Sequence, residues 1–170
     1  MLSRAAKGAC ILALVLAAGI PGVAQDAAAA PDAIKVGAAE TLVQRVHASG
    51  DQIYTCDGSQ WVLTGPDARL TGEGGHVVGS HFAGPTWRWV DGSSVTGRPV
   101  ASASPDSNSI PWLLVRVTAN KGRGVLENVT YVQRLHTRGG KPPASCTASQ
   151  KGRTLRVPYT ADYYFFAARR

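Results

Sequence analysis

The chain has 170 residues, with 18 Lys and Arg against 11 Asp and Glu and a formal net charge of +7. That length supports one domain with a real core and excludes two. Outside the first 24 residues no stretch is apolar enough to span a bilayer, which takes roughly 20 consecutive apolar residues.

Residues 1–24 read as a secretory leader. Arg4 and Lys7 precede a short apolar run from Cys10 to Ile20, and Gly22, Val23 and Ala24 supply the small residues at which a leader is cut. The expectation is a cleaved signal, no membrane anchor after cleavage, and an exported chain, secreted or periplasmic. Cleavage leaves Cys56 and Cys146, and two cysteines in an exported chain most simply form one disulfide. No CxxC or Cys/His cluster points instead to a metal or redox site, and no cofactor is implied. Charge is unevenly placed: residues 25–115 hold five Lys/Arg and nine Asp/Glu, whereas residues 116–170 hold eleven and two. Such asymmetry favours an anionic polymer, glycan or cell-surface component as partner, with Lys121, Arg123, Arg138 and Lys141 as the contacting cations. No specific nucleic-acid motif accompanies it.

Residues 25–40, Ala-rich with Pro31, read as a flexible lead-in to a domain spanning residues 41–168. Within that domain residues 42–48 read as a strand, Ser49, Gly50 and Asp51 as a turn, and residues 52–56 as the partner strand. Asp57-Gly58 between β-prone runs predicts a two-residue hairpin that sets Cys56 opposite Ser59 and Tyr54 opposite Trp61. The same turn at Asp91-Gly92 places Trp89 opposite Ser94. Between the two, residues 65–70 read as a turn or single helical turn.

The small, polar, Pro-broken stretch 98–109 reads as a mobile connection. Residues 110–118, nearly continuous in apolar side chains, suit a central strand covered on both faces. A strand over 125–137 follows, with Thr130, Val132, Arg134 and His136 on one face. In the last strand Tyr163 and Phe165 share one face and Tyr164 and Phe166 the other, so both are covered. Eight or so strands punctuated by turns, with no clear helix, give an all-β, single-domain antiparallel sandwich or barrel.

Six ordered motifs carry a resemblance: IYTC (53–56), VGSHFAGPTW (78–87), DGS (91–93), IPWLL (110–114), VTYVQR (129–134) and VPYTADYYF (157–165). Together they resemble the domain-of-unknown-function family 3455, small exported bacterial and fungal proteins, over about residues 50–166. The resemblance implies that Cys56 and Cys146 pair, and it brings no established activity. Some fungal members carry a malate dehydrogenase label, but here no Gly-rich turn follows a strand and opens a helix, which excludes a Rossmann dinucleotide unit.

Candidate chemistry is sparse. His76 and His81 lie on opposite faces of a straight strand, so one metal cannot take both. His81, Asp91, His136 and Asp162 are the candidates for a small hydrolase or metal enzyme, if the fold gathers them. Asp57 and Asp91 already have a role as turn formers. Asp162, flanked by Ala161 and Tyr163, needs a partner if buried, and Arg134 is the expected one. Trp87 and Trp89, two apart on one strand, offer an apolar platform for a sugar ring or a partner's side chain, or else form core. The leading expectation is a non-enzymatic ligand- or surface-binding β domain, ahead of the enzyme and of a structural envelope component.

Overall fold

The computed structural model describes residues 29–170; the expected leader lies outside the described residues. Eight strands follow in order: β1 (Glu40–Cys56), β2 (Trp61–Thr71), β3 (Val77–Phe82), β4 (Thr86–Trp89), β5 (Ser94–Ala103), β6 (Trp112–Lys121), β7 (Val129–Gly139) and β8 (Thr154–Ala168). Each pairs antiparallel with the next, and β8 closes the ring on β1, from Glu40 opposite Ala168 to Thr55 opposite Thr154. The sheet is thus a closed barrel. Every strand therefore has a partner on both sides, although β1 over residues 40–46 and β5 over residues 97–103 run past β2 and β4.

Alternation along β8 builds two cores. Tyr159, Ala161, Tyr163 and Phe165 join Trp87 and Val132 in one buried cluster, the barrel interior. Tyr164 and Phe166 face outward and pack with Leu135, Ala30 and Ile34. The second cluster shows that the lead-in is not loose throughout. Its 3-10 turn Asp32–Ile34 is held on the barrel wall, where the Gln133 side-chain amide donates to the Ile34 carbonyl at 2.7 Å. A disulfide joins Cys56, at the end of β1, to Cys146 in the β7–β8 connection, 90 residues apart in sequence. By the chain-entropy argument a loop of that size is worth about 4.6 kcal/mol.

Several expected turns are strand interiors. Ser49, Gly50 and Asp51 do not turn; β1 runs through them as one strand of 17 residues. Gly50 is needed there for close approach, because a Cβ would sit 2.2 Å from the Asp67 carbonyl oxygen. Residues 65–70 belong to β2, where Gly65 follows a bulge opposite Ile53 and Tyr54. Half of the expected mobile stretch 98–109 is β5. Pro99 pairs with Val115 immediately before a slip in register between Pro99 and Ala101, the kind of bulge at which a strand accepts proline.

Neither Asp-Gly hairpin has the expected register: four residues separate β1 from β2 and β4 from β5, and the closing backbone bonds run from Asp57 to Gln60 and from Trp89 to Ser93. Asp57 Oδ1 accepts the N–H groups of Ser59 and Gln60 at 2.8 and 2.9 Å. The lengthened loop sets Cys56 opposite Trp61 and Tyr54 opposite Leu63. Asp91 Oδ1 likewise accepts from the Ser93 N–H at 2.8 Å, and Trp87 then pairs with Val95 and Arg88 with Ser94. In both cases the aspartate side chain adds a side-chain-to-backbone turn that the dipeptide rule ignores.

Candidate functional site

At one end of the barrel, where β1 and β5 finish and β6 begins, the interior opens into a cavity of about 200 Å³. Its walls are mainly apolar. Four of its residues are prolines, Pro66, Pro85, Pro99 and Pro111, drawn from four separate segments. Proline fixes its own φ and offers no N–H, so these four positions are stiff and contribute no backbone donor. The polar residues of the wall are Gln52, Tyr54, His81, Trp87, Arg134 and Tyr163.

His81 and Trp87 come together because β3 and β4 pair them directly across the hairpin. The His81 ring is 3 % exposed and donates from Nδ1 to the Thr86 carbonyl at 2.9 Å. Burial lowers its pKa to about 3, against the opposing hydrogen bond to Thr86, so the imidazole is neutral with the proton on Nδ1. Trp87 and Trp89 are 1 % and 8 % exposed. They line the interior rather than forming an outer platform, since the face they share on β4 is the inward one.

Arg134 is not the partner of Asp162. Alternation along β7 turns it into the cavity, opposite Tyr163 across the β7–β8 ladder, while Asp162 faces outward. Its Nε and Nη2 donate to the Pro111 carbonyl at 3.1 and 2.8 Å. That uses two of its five N–H donors. Among the described residues no carboxylate pairs with it, and none lines the cavity. Its charge is felt by Tyr54, His81 and Tyr163; burial pushes the Tyr163 hydroxyl up, and the guanidinium pulls it back.

Asp162 sits instead on the outer wall, where it meets three cations or imidazoles. His47 Nδ1 lies 2.9 Å from one carboxylate oxygen; His136 Nδ1 and Arg45 Nη2 lie 3.1 and 3.2 Å from the other. Burial raises the carboxyl, but these hydrogen bonds outweigh it and hold the pKa below the usual carboxylate value. His136 was expected on the face of Val132 and Arg134. A register shift between Leu135 and Arg138 and a φ of 51° at His136 swing the imidazole to the other side. Re-aiming of one side chain is a common effect of such a bulge.

The four enzyme candidates therefore fall in three places. His136 meets Asp162 on the outer wall and His81 lies in the cavity. Asp91 sits at the opposite end of the barrel, where its Oδ2 accepts the Val125 N–H at 2.8 Å and ties two loops together. His76 lies exposed outside β3. The basic residues are likewise split. Lys121 ends β6 and Arg123 lies in the β6–β7 connection, whereas Arg138 lies near the far end of β7 and Lys141 just beyond it. All four are exposed, but a strand's length separates the two pairs.

Gln52, Tyr54 and Tyr163 had not been singled out as site residues, and neither had Arg45 and His47. For the last two a signal was present, since residues two apart on a strand share a face. Gln52 and Tyr54 share that spacing on β1, but nothing local joins them to Tyr163 on β8.

Residues 37–167 match the model of a family described as a protein of unknown function, DUF3455. No curated protein and no solved structure matches the chain.

Proposed function

We propose, for a chain that belongs to the DUF3455 family, the role of an exported, non-enzymatic binding protein that holds one small, largely apolar molecule in the mouth of its barrel. The observation that carries this is the cavity of about 200 Å³, walled by prolines and aromatic rings. Pockets of this kind, concave and apolar with a few convergent polar groups, are where small ligands bind. Export is supported by the leader-like first 24 residues and by a disulfide that persists in oxidising compartments. Among the described residues no helix is long and apolar enough to cross a membrane.

Trp87 in the wall supplies the reporter. Titration of the protein with a neutral ring-sized molecule, benzyl alcohol, is expected to give a saturable change in tryptophan fluorescence with a midpoint near ~1 mM. Leu113→Trp, which fills the cavity from β6, abolishes binding measured by calorimetry. Absence of saturable binding in the native protein would overturn the reading.

A further inference from the structure

We infer that the molecule held in the barrel mouth is a monocarboxylate, its carboxylate received by Arg134 and its apolar body by the proline-walled cavity. The inference rests on the reading of the cavity as a binding site and adds the chemical class of the occupant.

Its basis is the imbalance of charge and hydrogen-bonding groups in the wall. A guanidinium at the edge of an apolar space is costly to desolvate unless an anion or several acceptors meet it. Arg134 meets the Pro111 carbonyl and the Tyr163 hydroxyl, both neutral, and no carboxylate among the described residues. A neighbour in the same wall adds a donor that also lacks an acceptor: the Trp87 indole nitrogen is buried without a hydrogen-bond partner. The prolines contribute no N–H, and His81 spends its one proton on Thr86. The wall is therefore poor in negative charge, and its one formal charge is positive. A planar carboxylate is the anion that a guanidinium fork matches with two parallel bonds.

Size and polarity narrow the class. A dry apolar cavity of ~150 Å³ holds benzene, so 200 Å³ holds a ring of that size with a carboxylate attached. A long-chain fatty acid exceeds that volume. A dicarboxylate would leave one charge against apolar walls, and inorganic phosphate or sulfate would leave the apolar surface uncovered.

The test compares near-isosteric ligands on the intact disulfide-bonded protein by calorimetry: benzoate, benzamide and benzyl alcohol. Charge-assisted hydrogen bonds of this kind predict that benzoate binds about 10- to 100-fold more tightly than benzamide. Arg134→Met removes that advantage, bringing benzoate and benzamide to comparable affinity, and Arg134→Lys, a point charge without the fork, keeps part of it. Benzoate and benzamide binding equally well would overturn the carboxylate assignment and leave the cavity reading standing. Failure of all three to bind would overturn both. The ligand comparison on the native protein decides the matter even if an Arg134 variant does not fold.

Discussion

The imidazole of His81 lies flat on the indole of Trp87, with ring centroids 4.3 Å apart and 8° between planes. A stacked, desolvated imidazole of this sort is held neutral, and that has a thermodynamic consequence. Its folded-state pKa is about 3 against an ordinary value of 6.5. Between those values the unfolded chain binds a proton that the folded chain refuses, so stability falls as pH drops below 6.5 and stops falling near 3. The slope is about 1.4 kcal/mol per pH unit. Urea unfolding at pH 7.5 and 5.0 is expected to differ by about 2 kcal/mol, and His81→Phe should remove most of that difference. Asp162, its carboxyl held below the ordinary carboxylate value, stays ionised across this range and adds nothing to the difference. An undiminished difference in the His81 variant would refute this account.

The bulge at His136 makes a second prediction. A φ of 51° costs an L-residue with a Cβ about 1 kcal/mol, and glycine nothing. His136→Gly and His136→Ala both lose the bond to Asp162, so their difference isolates the backbone. The glycine variant is expected to be more stable by about 1 kcal/mol in denaturant unfolding. Equal stabilities would mean that the left-handed backbone is not what the position demands.

Gly50 and Gly37 form a matched pair. A Cβ at Gly50 would meet backbone and side-chain atoms of Asp67 and Ala68 at 2.2 to 2.8 Å, whereas one at Gly37 has open space. Gly50→Ala forces β1 and β2 apart and is expected to cost about 3 kcal/mol or more. Gly37→Ala should stay within about 0.5 kcal/mol. Thermal unfolding of the two variants side by side checks this, and a mild effect at Gly50 would contradict the close approach.

The antiparallel all-β class was legible because period-two patterning is local: Tyr163 and Phe165 against Tyr164 and Phe166 revealed a strand buried on both sides. The disulfide followed from cysteine arithmetic and the family resemblance. What failed was the reading of glycine and proline as punctuation. Gly50 and Gly65 serve a curved wall, and Pro99 rides on a bulge; neither can be told from a turn without the neighbouring strand. Asp162 was rightly singled out as needing a partner, but the wrong arginine was named. Arg134 and Asp162 occupy adjacent rungs on opposite sides of the wall, and only the pairing of β1 with β8 brings Arg45 and His47 to it. That pairing joins segments more than 100 residues apart, beyond the reach of any local pattern.

The same seam governs when the protein can become itself. β8 supplies Tyr159, Tyr163 and Phe165 to the interior and pairs with both β1 and β7. No enclosed space exists until the chain has emerged to Ala168, and closure must then join segments of the largest sequence separation, an intrinsically slow step. A chain of this topology stays open until its last strand is in place. Sealing of the wall then holds the end of β1 beside the β7–β8 connection, where Cys56 bonds Cys146.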